Sequence, residues 1–250
     1  MMGGCISLDR ILGKLDEYLN KNDVTSAERH LRYWLSEAQK YGDFRIELAM
    51  DNELMGLCRK GGRREEAIGF AEAALSLIHT HGIERQVGSA TTYLNAATVR
   101  KAFGMAEDAL PLFEQARAIY ESELSPSDGR LGGLYNNMGL ALTDLGRFAE
   151  AQAAYRKAIA VMEQEAGNAP ELAITYLNMA SALEAELGLL EADGQIGELL
   201  DRAEALLDSH TEQDGAYAFA CDKCASVFGY DGRVLYEATL KERARRIDGA

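Results

Sequence analysis

The sequence predicts an all-α chain built from about six stacked helix hairpins, and three observations carry that prediction. Its 250 residues include 38 alanines and only three prolines, so helix formers abound and helix breakers are few. A pattern of small and large apolar residues returns every 41 or 42 residues. Within each period, two stretches with apolar residues three and four apart flank a glycine, as two amphipathic helices joined by a tight turn require.

The pattern is clearest over Leu134–Met162. A first helix carries Leu134, Met138, Ala141, Leu142 and Leu145; a second carries Phe148, Ala151, Tyr155, Ala158, Ile159 and Met162. Gly146 between them can take the left-handed conformation that ends a helix. Forty-two residues upstream, Gly104, Tyr93, Asn95, Ala109, Phe113 and Ala116 match Gly146, Tyr135, Asn137, Ala151, Tyr155 and Ala158. One period earlier still, Gly62, Ala67, Ala71 and Ala74 hold equivalent places. Downstream, Tyr176 and Asn178 repeat the first helix, and its second helix is expected near Gly197–Leu207 after a longer loop, Leu190–Gln195. The ends are degenerate: one pair turns at Asn22-Asp23 and another at Tyr230-Asp231-Gly232. The expected hairpins are 7–41, 44–80, 84–124, 127–166, 170–209 and 213–248, within one domain over 1–250. Recurrent Ala and Gly let helices approach closely, and larger neighbours fill the gaps. Pro126 and Pro170 fall at hairpin boundaries; Pro111 lies one or two turns into a helix, near its start or at a small kink.

Charge excludes some functions. The net charge of −14 disfavours a duplex nucleic-acid binder, which needs a basic face. The first 125 residues are net −4 and the rest net −10; Glu163–Asp214 holds 13 acids and one base, Arg202, and reads as a solvated face. No apolar run approaches the roughly 20 residues of a membrane span. Four scattered cysteines and no signal-peptide pattern fit a reducing cytoplasm.

With Gly, Ala, aromatic and Ala at these spacings after a helix bearing Tyr and Asn, the chain resembles the tetratricopeptide repeat. Its 42-residue period is similar to that of kinesin light chains and bacterial peptide-sensing regulators. The match is strong over Tyr93–Met162, good over Met50–Ile78, partial over Thr175–Leu207 and weak at both ends. The resemblance implies a right-handed superhelical solenoid whose first helices line a concave groove. It also implies that Asn95, Asn137 and Asn178 face that groove, where the family uses such amides to hold a peptide backbone. A primary amide offers both a donor and an acceptor, which suits a peptide unit. Asn52 and Asn136 sit one place earlier, and Thr98 and Ser181 are expected on the groove wall with Leu94, Leu140, Thr143 and Leu177. The alternative is that the amides bridge adjacent repeats or meet water. The family's carboxylate clamp places Lys four residues before the Asn; here those places hold Thr91, Gly133 and Ile174, so that subtype is absent. Arg59, Lys60, Arg100 and Lys101 lie near the ends of first helices, where they either meet an acidic ligand or complement the helix dipole.

Other signals are weak. Cys221-x-x-Cys224 lacks the two further ligands of a zinc site and falls at small helical positions, so it reads as packing. His79 and His81 sit at a helix end; His30 and His210 stand alone. Met2–Ser7 matches a loose myristoylation pattern that requires initiation at Met2. No catalytic or metal-binding motif appears, and no cofactor is implied. The expectation is a non-enzymatic, cytoplasmic scaffold for a protein or extended peptide, binding neither nucleic acid nor membrane and self-associating, if at all, through an end repeat. The alternative is a sensor of a short signalling peptide that acts through a partner protein, without a DNA-binding domain of its own.

Overall fold

A computed structural model describes residues 7–164 and 166–248. The myristoylation pattern at Met2–Ser7 and Cys5 fall, apart from Ser7, outside the described residues. Among those residues there are twelve α-helices, one 3-10 turn (Ala166–Asn168) and no strand. α1 (Leu8–Leu19) pairs with α2 (Val24–Tyr41) and α3 (Phe44–Lys60) with α4 (Arg64–Thr80); α5 (Val87–Ala102) is followed by α6 (Ala106–Glu123). Then follow α7 (Gly129–Asp144) with α8 (Phe148–Met162), α9 (Ala169–Leu187) with α10 (Leu189–Ser209), and α11 (Gly215–Tyr230) with α12 (Val234–Asp248). Contacts divide the chain into two compact units, Met1–Ile119 and Tyr120–Ala250.

Each hairpin turn contains one residue in the left-handed region, including Gly104 (φ 77°) and Gly146 (φ 68°), as the sequence requires. In the first hairpin Asn22 takes the role (φ 53°), one of the few non-glycine residues that tolerates it. Aspartates start four helices: the side chains of Asp23, Asp43, Asp128 and Asp214 accept backbone N–H bonds from the first turns of α2, α3, α7 and α11. At α7 the Arg130 guanidinium also grips the cap, holding the Asp128 carboxyl down at about 2.

In the N-terminal unit, Ile11, Leu15, Ala27, Leu31, Met50 and Leu54 form one core layer. Met55, Cys58, Ala67, Ala71, Ala74, Ala96 and Val99 form the next. First helices lie beside first helices: α3 packs on α5 here, and in the C-terminal unit α9 packs on both α7 and α11. The small residues mark the closest approaches. A methyl added at Gly139 would lie 2.5 Å from the Tyr155 ring, and one at Gly132 would lie 2.9 Å from Met162. Ala109 and Ala151 have no exposed surface. Cys221 and Cys224 lie inside the core of the C-terminal unit, and burial pushes the Cys224 thiol up to about 12, as packing residues would have it.

Two sequence expectations need correction. Residues 190–195 are not a loop: α10 begins at Leu189, directly after Gly188, and Ala192 and Ile196 are buried in the core. Gly188, with φ 82° and ψ 155°, breaks the helix in a single residue, so the added length becomes helix. The acidic stretch is also only partly a solvated face. Asp201 and Glu204 of α10 bind Arg233 at 2.6 and 2.7 Å, and Asp208 binds Arg243 at 2.8 Å. These carboxylates tie α10 to α12. Pro126 falls between hairpins and Pro170 is the second residue of α9, while Pro111 is the sixth residue of α6, which continues to Glu123.

Candidate functional site

In the N-terminal unit the first helices α1, α3 and α5, with Leu31 of α2, line a hollow of about 230 Å³. Its polar lining is Asn52, Glu53, Arg59 and Lys60 from α3, with Asn95 and Thr98 from α5. Leu15, Leu19, Leu31, Met55, Leu57 and Val99 supply apolar floor and wall. Seven residues separate Asn52 from Arg59, which sets them about 10 Å apart along the helix at 1.5 Å per residue.

The amides are connected. Asn95 donates from Nδ2 to Asn52 Oδ1 at 3.1 Å, while Asn52 Nδ2 donates to Leu48 O and Thr92 Oγ1, both at 2.9 Å. A primary amide has two N–H bonds and one carbonyl oxygen. Asn52 thus spends both N–H groups on this unit. Asn95 keeps its Oδ1 and one N–H. Thr98 is tied to its own helix through Leu94 O at 2.8 Å.

The charges in the hollow differ from one another. Glu53 is raised above the usual carboxylate range, first by crowding that strips its water and then by Asp16, with Lys60 opposing. Arg59 makes no ion pair or hydrogen bond among the described residues, and burial alone pulls its guanidinium down. Neither Glu53 nor Arg59 makes an ion pair among the described residues; Lys60 only moderates the rise at Glu53. Arg100 and Lys101 end α5 and do not line the hollow.

Behind this face, α3 carries a group that sequence reasoning missed. Asp51 is 1% exposed, and its Oδ2 has no hydrogen-bond partner among the described residues. Burial, with Glu47 adding repulsion, pushes its carboxyl up to about 7. The repeat spacing gave a signal: in register, Asp51 stands where later repeats have Tyr93, Tyr135 and Tyr176.

The C-terminal unit repeats the amide arrangement. Asn178 Nδ2 donates to Asn136 Oδ1 at 2.9 Å, again leaving Asn178 with an oxygen and one N–H. Asn137 is half-buried and makes no hydrogen bond among the described residues. Ser181 is exposed on α9, whereas Leu177 is buried at 2% exposure and forms part of the core, not a wall. Thr143 is directed to Gly139 O and the Tyr155 hydroxyl. The structure thus brings together Asn52, Asn95 and Thr98 in one unit and Asn136 with Asn178 in the other.

These features define a class: an all-α repeat protein whose first-helix faces carry paired amides. Residues 131–192 match the family model described as Tetratricopeptide repeat. The fold is similar to that of BtubC (BKLC) from P. vanneervenii, at 21% identity and TM-score 0.68 over 82% of each chain. It is also similar to a putative kinesin light chain with nearly identical TPR-like repeats from Podosopora anserina, at 17% identity and TM-score 0.58, covering 80% of this chain and 94% of that one. A Rap protein complexed with Competence and Sporulation Factor aligns at 15% identity and TM-score 0.55, over 94% of this chain and 73% of that one. No curated protein sequence matches the chain. No helix among the described residues is long and apolar enough to cross a membrane, and none of them form a group of three or more residues suited to hold a metal.

Proposed function

We propose that the chain is a non-enzymatic binding module that holds an extended peptide or protein segment against its first helices. The observation that carries this reading is the amide pair, present in both units: one Asn spends its oxygen on positioning the next, and the second keeps one donor and one acceptor. That remainder is the complement of one peptide unit, which offers one N–H and one C=O. In this reading Asn95 and Asn178 contact the ligand, Asn52 and Asn136 position them, and Thr98 and Ser181 border the face; Arg100, Lys101 and Asn137 lie outside the paired arrangement. The likeness to a Rap protein complexed with Competence and Sporulation Factor supports a second form of the same reading, a sensor of a short free peptide that signals through a partner.

The test is retention of a randomised soluble nonapeptide library by the immobilised chain, followed by sequencing of what is retained. The proposal expects selective retention, weakened about three- to tenfold by Asn95→Ala or Asn178→Ala, the range for loss of one or two hydrogen bonds. Retention that is equal in both variants, or confined to peptides that form helices, contradicts it.

A further inference from the structure

The hollow in the N-terminal unit holds a cation with no counterion. Arg59 belongs to α3, lines the hollow beside Asn52, Asn95 and Thr98, and makes no ion pair or hydrogen bond among the described residues. Among the unit's other arginines, half-buried Arg63 and exposed Arg32 hold carboxylates, whereas half-buried Arg100, which does not line the hollow, makes no ion pair or hydrogen bond among the described residues. Arg63 holds Glu28 through two bonds at 2.7 and 2.8 Å, and Arg32 bridges Glu28 and Glu66. A guanidinium withdrawn from water without a partner costs stability, and a carboxylate supplies the planar, two-pronged match that recovers it.

We propose that Arg59 is the specificity residue of this groove, binding the side-chain carboxylate of an Asp or Glu in an extended peptide. The proposal rests on the peptide-binding reading and names what that site selects. Geometry favours a side chain over a chain end. The free donor and acceptor of Asn95 fit an internal peptide unit, and Arg59 is about 10 Å further along α3 from the amide pair. An extended arginine and an acidic side chain together span that distance, so the peptide backbone stays at the amides while its carboxylate reaches the guanidinium. Glu53 discriminates in the same direction. It lines the same hollow and makes no ion pair among the described residues, so when ionised it disfavours a second anion there.

The test uses the full chain and two soluble nonapeptide libraries, one with free and one with amidated C-termini. Wild type is compared with Arg59→Gln, Arg59→Lys and Arg64→Gln, the last altering an exposed arginine of α4 away from the hollow. Circular dichroism confirms that each variant is folded. The expected result is enrichment of one Asp or Glu position by wild type and Arg64→Gln, the same in free and amidated libraries. Arg59→Gln should keep binding but lose about tenfold of that acidic preference, with partial return in Arg59→Lys. An acidic preference that survives Arg59→Gln, or peptides enriched without one, overturns the Arg59 assignment while leaving the groove reading intact. Enrichment only in the free-terminus library overturns it too, in favour of a terminal carboxylate. If neither library yields enriched peptides with wild type, the peptide-binding reading itself fails, and this proposal fails with it.

Discussion

The N-terminal and C-terminal units place the same repeat under different constraints. In the C-terminal unit the aromatic place of the first helix is filled by Tyr135 and Tyr176, whose hydroxyls donate to Glu121 and Glu163 at 2.8 and 3.1 Å. The first-helix residue in that register in the N-terminal unit's second hairpin is Asp51, a carboxyl with an unsatisfied oxygen. The C-terminal unit spends its acids on neighbours, as Arg233 and Arg243 clamp α10 to α12. The N-terminal unit leaves Arg59 unanswered on the face where its hollow lies. Both units keep buried polar atoms without a partner among the described residues, Asp51 Oδ2 in the first and both amide atoms of Gln152 with Asn168 Nδ2 in the second; the N-terminal unit also sets the unpaired Arg59 in its hollow. Unmatched polar groups cost stability and persist where they serve a purpose.

The largest expected effect comes from Asp51. Its carboxyl is raised from an ordinary 3.8 to about 7, so the folded chain holds a proton that the unfolded chain has released. The stabilisation from that proton is complete below about pH 4 and is lost as pH rises through 7. Urea unfolding between pH 4 and pH 8 should show wild type losing on the order of 3 kcal/mol relative to Asp51→Asn, whose amide does not titrate. Parallel curves for the two proteins would remove Asp51 from the contrast between the units.

Next in size is the close approach at Gly139. Its place in the N-terminal unit's α5 is taken by Ala97, which is fully buried without strain, whereas a methyl at Gly139 meets the Tyr155 ring. Gly139→Leu should therefore cost about 1–3 kcal/mol by overpacking, read as a shift of the urea midpoint. A neutral result would mean that the two helices separate easily.

The ion pairs between second helices come third. Glu28→Gln in the N-terminal unit and Arg233→Ala in the C-terminal unit should each cost about 0.5–1 kcal/mol at low salt and less at 1 M salt, because these groups are partly exposed. A salt-independent loss would point to packing by the arginine stem. Smallest is the amide pair: Asn178→Ala should lower stability by about 1 kcal/mol or less, since it removes one partly exposed hydrogen bond. A larger loss would make Asn178 chiefly a structural bridge.

How much of this could be read from the sequence follows from what repeats. Gly104 and Gly146 announced their turns because a left-handed residue is needed at each, and Ala109 and Ala151 announced the close contacts because nothing larger fits. The start of α10 was hidden because Leu189–Gln195 has no counterpart in the other repeats, and Gly188 ends one helix and begins the next with no loop. Asn52, Asn95 and Thr98 could be placed on one face from register alone. That the amides bind each other could not, since pairing depends on side-chain directions across helices some 40 residues apart. The isolation of Arg59 was likewise invisible, because the sequence shows which cations exist and not which carboxylates reach them.

In the proposed complex, ligand lies on the first-helix face of the N-terminal unit, between the amide pair and Arg59. Amide hydrogen exchange of the full chain, with and without the peptides it retains from the nonapeptide library, tests this most directly. Exchange should slow in α3 and α5 and stay unchanged in α2 and α4, with the slowing at α3 lost in Arg59→Gln when an acidic peptide is used. Protection confined to α2 and α4, or to the C-terminal unit, would contradict it.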